Sequence, residues 1–276
     1  MATVRVRESE LSYSFHGRSG DPTVLVHGSL EDRSTFSRVI PGFASSLHVL
    51  AYDRRGYGES RGPPTDHRVR EDADDLAELL AAEDFYPVHL VAHSYAGAVA
   101  LRLSVDRPEL VRSLSLHEPP FYGLLRDEPD TLPDAERIDT EVIEVRRRIA
   151  AGDRDGAAEI LVNAFAGEPA QWGRLPTAAR STLLRYLDQW TVEFRDPEAA
   201  RPSPAELHDL LLPVLLTVGD QSPRFVHRIV GRLDGLLRNS VVQTLREAGH
   251  SPQVGSPDQY VGQVVTFLLE RNVPST

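Results

Sequence analysis

The sequence predicts an α/β protein: a mostly parallel, doubly wound sheet with an inserted helical cap. Three observations carry this. Short valine- and leucine-rich runs alternate with stretches of helical spacing through the first 120 residues, the rhythm of strands joined by crossover helices. The rhythm breaks over residues 121–212, where only helical patterns occur. It resumes at Pro213. The expected organisation is a core with its first part at 1–120, a cap insertion at 121–212, and a second core part at 213–276.

In chain order, residues 4–6 and 11–15 are β-prone runs split by Glu8-Ser9-Glu10, the pattern of an antiparallel pair at a sheet edge. Residues 23–26 and 47–52 are continuous apolar runs, which suit strands covered on both faces. Residues 68–83 place Val69, Ala73, Leu76, Leu79 and Leu80 on one helical face with acids outside. A strand at 88–91, a helix to about 105 and a strand at 110–116 follow. Within 121–212, helices are expected at 135–150, 156–165, 177–194 and 204–211, with Pro129, Pro133, Pro169 and Pro202 in the loops between them. Strands at 213–218 and 240–245 enclose a helix at 224–237, and Pro257 begins a last helix running to Arg271.

Composition removes several kinds of chemistry. There is no cysteine, so disulfides, thiolate nucleophiles and zinc–thiolate sites are excluded. All 30 basic residues are arginine, which rules out Schiff bases and a phosphate-gripping P-loop lysine. No G-x-G-x-x-G loop is present, so no cofactor is expected. The net charge of −11, with no basic patch, argues against nucleic acid and anionic membranes as partners. No apolar run is long enough to span a bilayer and no basic-then-apolar leader opens the chain, so the expected location is the cytoplasm. Oligomeric state has no signature here.

The chemistry centres on residues 88–103, VHLVAHSYAGAVALRL. An apolar run passes through Ala92-His93-Ser94-Tyr95-Ala96 directly into good helix formers. A strand that turns at once into a helix crowds the positions two residues either side of its apex. Those must be small, and the apex residue is strained and projects outward. This is the physical content of a G-x-S-x-G nucleophile elbow, written here with alanine in both outer places. Functional groups of a parallel sheet gather at the carboxyl ends of its strands. Those ends supply His27-Gly28-Ser29, Asp53, Ser94, His117-Glu118, Asp220 and finally His250.

The chain resembles the α/β-hydrolase fold superfamily, its serine esterases and cofactor-free haloperoxidase-like members in particular. The matching pieces are VLVHGS (24–29), AYDRRGYGES (51–60), VAHSYAG (91–97), PVLLTVGD (213–220) and EAGHSP (247–252). The resemblance implies Ser94 as nucleophile and His250 as general base. It further implies an oxyanion hole from the N–H groups of Ser29 and Tyr95. The acid is open between two residues. The position usual in the family is Ser222 here, Asp220 stands two residues early, and Glu118 occupies an alternative place used by some relatives. Glu118 is preferred, because orienting a histidine depends on geometry before charge. Arg54 and Arg55 read as scaffold ion pairs, and His93 as a contact beneath the elbow. His27 and His117 read as structural, as do His16, His48, His67, His89, His208 and His227.

A serine at the elbow disfavours reactions that need a carboxylate nucleophile. The expected activity is metal-free hydrolysis of a small, fairly apolar carboxylic ester or lactone through an acyl-enzyme on Ser94. Cap aromatics, Tyr122, Trp172 and Trp190 among them, are candidate pocket walls, although packing of cap to core explains many of them equally well. The alternative is a non-hydrolytic member of the fold that binds a ligand or steers a cyclisation, kept open by serine at 222.

Overall fold

A computed structural model describes residues 2–62, 68–166 and 170–270. His67, Pro169 and Arg271 lie outside the described residues. Eight strands form one sheet: β1 (Ala2–Val6), β2 (Ser9–His16), β3 (Pro22–Val26), β4 (His48–Tyr52), β5 (Val88–His93), β6 (Val111–His117), β7 (Val214–Gly219) and β8 (Ser240–Leu245). Their order is β1-β2-β4-β3-β5-β6-β7-β8. β1 pairs antiparallel with β2, and β2 with β4. Every later pairing is parallel.

Side-chain alternation explains the continuous apolar runs. In β3, Val24 and Val26 enter one core while Leu25 enters the other. β5 does the same with Leu90 and Ala92 against Val91. The first core packs the helices Val69–Ala82, Ala96–Asp106 and Arg224–Leu236 on one face, through residues such as Leu76, Val99 and Ile229. The second packs the helix Pro257–Glu270 on the other face, through Tyr260, Val264 and Leu268. With both faces covered, period-two polarity has no reason to appear. None of the helices among the described residues is long and apolar enough to cross a membrane.

Between β6 and β7 the described residues are helical or irregular. They hold an apolar cluster of their own, built on Val145, Leu161, Trp172, Leu187 and Trp190. Two details differ from the sequence pattern. The first long helix here starts at Leu132, with Pro133 accommodated in its first turn, where a missing N–H costs nothing. The helix expected at 177–194 is two, Thr177–Arg185 and Leu187–Glu193, broken at Tyr186. The break serves a tertiary contact: the Tyr186 hydroxyl donates to Asp32 (2.9 Å) and accepts from the Gly58 N–H (2.9 Å).

Candidate active site

Ser94 sits at the junction of β5 and the helix Ala96–Asp106 with φ of +53°, left-handed backbone that a side chain enters only under constraint. The constraint is visible. Its N–H is held by the His117 carbonyl of β6 at 2.9 Å, and Ala92 and Ala96 are fully buried beside it. A branched side chain has no room there. Ala96→Val is therefore expected to cost about 1–3 kcal/mol of stability and to lower any Ser94-dependent turnover. Thermal unfolding and an activity assay check this, and an unaltered variant contradicts it.

Glu118, one residue past β6, is also left-handed, with φ of +46°, and is almost fully buried. One carboxylate oxygen, Oε1, accepts from the Gly219 N–H (2.9 Å) and the Ser222 hydroxyl (2.5 Å). The other, Oε2, lies 2.7 Å from His250 Nδ1. Burial works against its charge, but the His117 and His250 imidazoles and the hydrogen bonds from His250 and Ser222 hold the carboxyl well below its usual range. Asp220 meets a different group, accepting from the Ala248 N–H at 3.3 Å. Of the two acids weighed from sequence, it is Glu118 whose carboxylate the structure brings to His250.

The His250 ring is sandwiched. Phe165 from the helix Arg154–Ala166 stacks on it with centroids 4.4 Å apart, and the His93 ring lies 4.8 Å away. Among the described residues the Ser94 hydroxyl has no hydrogen-bond partner. The loop 27–29 closes against it. A methyl group added to Gly28 would meet the His93 carbonyl at 2.9 Å and Ser94 Cβ at 3.0 Å. The Gly28 N–H is already taken by Glu31 Oε1 at 2.6 Å. Neither the Ser29 nor the Tyr95 N–H meets an acceptor among the described residues.

Beneath the elbow lies a charged pair that the sequence did not announce. His93 Nδ1 is 2.5 Å from Glu31 Oε1, and its Nε2 is 2.6 Å from the His250 carbonyl. Both of these partners are acceptors, an arrangement that favours hydrogen on both ring nitrogens. Burial works against the charged form, but Glu31 outweighs burial and raises the His93 pKa. Burial likewise opposes the Glu31 charge, and His93 overcomes it, taking the carboxyl from 4.5 down to about 2. Because the folded value is depressed, Glu31 contributes stability that is fully present above pH 4.5 and fades as pH falls toward about 2. Glu31→Gln should flatten the acid-unfolding profile across that window. An unchanged profile contradicts the assignment.

Residues 23–263 match the alpha/beta hydrolase family. The chain belongs to that family. Among curated relatives, the dihydrolipoyllysine-residue acetyltransferase component of the acetoin cleaving system of Pseudomonas putida is 29% identical over 93% of this chain and 65% of its own. The chain's matches span 34% to 65% of the length of these curated relatives. Among solved structures, an α/β-hydrolase from Sphaerobacter thermophilus superposes with TM-score 0.76 at 22% identity, covering 97% of this chain and all of that one (100%). The enol-lactonase from Burkholderia xenovorans superposes with TM-score 0.75 at 16% identity, covering 97% and 100%. Identities this low speak to the fold.

Of the aromatics considered as pocket walls, Trp172 and Trp190 lie inside the apolar cluster between β6 and β7, with Trp190 stacked on Phe194 at 4.5 Å. Phe165 is the one on the His250 ring. Tyr122 packs between them, its ring centroid 5.8 Å from Phe194 and 6.5 Å from Phe165, and its buried hydroxyl lacks a partner among the described residues. In this α/β-hydrolase Arg55 pairs bidentately with buried Asp75, at 2.8 and 2.6 Å. Arg54 is fully buried and pairs with Asp72 at 2.9 Å and Glu193 at 2.7 Å. Sequence reasoning passed over Glu31 and Glu193. The available signal for Glu193 was its place three residues after Trp190, on the same buried helical face.

Proposed function

We propose that this protein is a metal-free serine hydrolase acting on a small, fairly apolar carboxylic ester or lactone. The observation that carries the reading is the 2.7 Å contact between His250 Nδ1 and the Glu118 carboxylate, together with the left-handed backbone of Ser94 at the elbow. A serine hydroxyl barely ionises near neutral pH and needs an imidazole to take its proton as it attacks. Glu118 holds Nδ1–H, which leaves Nε2 as the basic nitrogen for Ser94. Ser94 Oγ adds to the substrate carbonyl, and the oxyanion is received by the N–H groups of Ser29 and Tyr95. Protonated His250 then gives its proton to the departing alkoxide, and water repeats the sequence on the acyl-enzyme. In a lactone the released alcohol stays attached to the acyl chain.

Family membership supports hydrolysis in general, and the enol-lactonase among the structural neighbours fits the lactone side of the proposal. The aromatic surroundings of His250, Phe165 first, favour an apolar substituent. Serine at 222, which kept a non-hydrolytic reading open, has an ordinary place as a donor to Glu118. The test is release of p-nitrophenol from acetate, butyrate and octanoate esters, with and without a chelator. Turnover of the shorter esters, unaffected by the chelator, is expected. No turnover at any acyl length contradicts the proposal.

A further inference from the structure

Glu193 ends the helix Leu187–Glu193 and is fully buried, and its carboxylate meets groups from the loops after β3 and β4. Oε1 accepts from Arg54 Nη2 at 2.7 Å and from the Tyr57 hydroxyl at 2.8 Å. Oε2 accepts from the Ser29 hydroxyl. Besides the Nη1 bond to Asp72 (2.9 Å), Arg54 donates to the loop that follows β3. Its Nε donates to the His27 carbonyl at 3.0 Å and its Nη2 to the Gly28 carbonyl at 2.9 Å. The guanidinium lies over the rings of Tyr57 and Tyr95, 4.6 and 4.7 Å from their centroids.

Peptide planarity turns these contacts into an orientation. The Gly28 carbonyl and the Ser29 N–H belong to one planar unit and point in opposite directions. Holding the carbonyl on Arg54 therefore aims the N–H. The preceding unit is pinned at both ends, its carbonyl on Arg54 and its Gly28 N–H on Glu31. The Ser29 N–H has no acceptor among the described residues. Glu193 anchors both the Arg54 nitrogen that holds this plane and the side chain of Ser29 itself.

We infer that Glu193 is a positioning residue: by seating the helical segment between β6 and β7 on Arg54 and Ser29, it completes the oxyanion site. The inference rests on the Ser94 reading above. A buried arginine that loses one of its two carboxylates re-pairs or shifts, and the carbonyls it holds shift with it. Donor aim matters only when negative charge develops on the substrate oxygen, so the effect belongs to the transition state.

The test compares Glu193→Gln and Ser29→Ala with Glu198→Gln, which removes an exposed ion pair to Arg70 (3.1 Å) elsewhere on the same segment. Expected for Glu193→Gln is a fall in kcat of about 10- to 100-fold, a fraction of what losing an oxyanion donor outright costs, with KM nearly unchanged. Glu198→Gln should match the unsubstituted protein. Affinity for an aryl trifluoromethyl ketone gives a second readout. Ser94 Oγ adds to its carbonyl carbon while His250 takes the proton, leaving an oxyanion in the site. That affinity should fall in parallel with kcat/KM, while affinity for neutral benzyl alcohol, which offers no carbonyl or oxyanion to those donors, stays put. Ser29→Ala should shift the same quantities in the same direction by a smaller factor. The double variant should be less impaired than the product of the two singles.

Normal kcat and ketone affinity in Glu193→Gln overturn this inference alone, provided turnover still requires Ser94. Losses confined to KM, or equal for ketone and benzyl alcohol, also overturn it, since they are what loosened packing gives. Should Glu193→Gln fail to fold, Ser29→Ala decides: unchanged ketone affinity there overturns the inference. Absence of Ser94-dependent turnover in the unsubstituted protein overturns the function proposed above and this inference with it.

Discussion

Ser94→Ala is expected to abolish ester turnover, lowering kcat by something on the order of 10⁵- to 10⁶-fold while the fold stays intact. The size follows from the division of labour. In the proposed mechanism His250 and Glu118 act only through the Ser94 oxygen, so removing that oxygen forfeits their contribution together with its own. What the proposed mechanism leaves is the N–H pair at Ser29 and Tyr95 with water as the attacking group, worth about 10³–10⁴ over free solution. The substitution deletes one oxygen, and the Ser94 hydroxyl makes no protein hydrogen bond among the described residues. Circular dichroism and thermal unfolding should therefore be unchanged. A folded variant that retains more than a few per cent of turnover removes Ser94 from the chemistry.

Glu118→Gln should be the next most damaging change, lowering kcat by about 10⁴-fold, whereas Asp220→Asn should leave it close to the starting value. The difference lies in the fixed partners of the Glu118 side chain. One oxygen receives the Gly219 N–H and the Ser222 hydroxyl, two groups that suit an acceptor. An amide placed there keeps its oxygen on those donors and turns its NH₂ toward His250 Nδ1. The imidazole must then accept at Nδ1 and carry its hydrogen on Nε2, the nitrogen that has to take the proton from Ser94. The amide also lacks the charge that stabilises the imidazolium. The Asp220 carboxylate serves the Ala248 N–H instead, so its replacement does not force that tautomer. Activities measured for both variants decide the matter, and the reverse ranking transfers the acid role to Asp220.

The elbow was legible in the sequence because its requirements are local. Small residues around Ser94 and a strand passing straight into a helix occupy one short stretch of chain. The meeting of Glu118 with His250, 132 positions apart, was legible for a different reason. A parallel sheet brings the carboxyl ends of its strands together, so topology stands in for contacts. The buried charges beneath and behind the site had no such proxy. Glu193 reaches Ser29 across 164 residues, and Glu31 reaches His93 across 62; neither separation follows from any period or motif. Between β6 and β7 the apolar spacing continues smoothly through Tyr186, and the break there goes with its contacts to Asp32 and Gly58. The same limit applied to Trp172 and Trp190. Spacing marks them as buried, but not which surface buries them.

The central claim is that the hydroxyl at position 94 is the nucleophile and that the Glu118–His250 pair activates it. Peptide mapping after reaction with a fluorophosphonate tests this without knowledge of the natural substrate. A single adduct on the peptide carrying Ser94 is expected, forming far more slowly in Glu118→Gln and not at all in Ser94→Ala. An adduct on another residue, or labelling at an undiminished rate in Glu118→Gln, contradicts it.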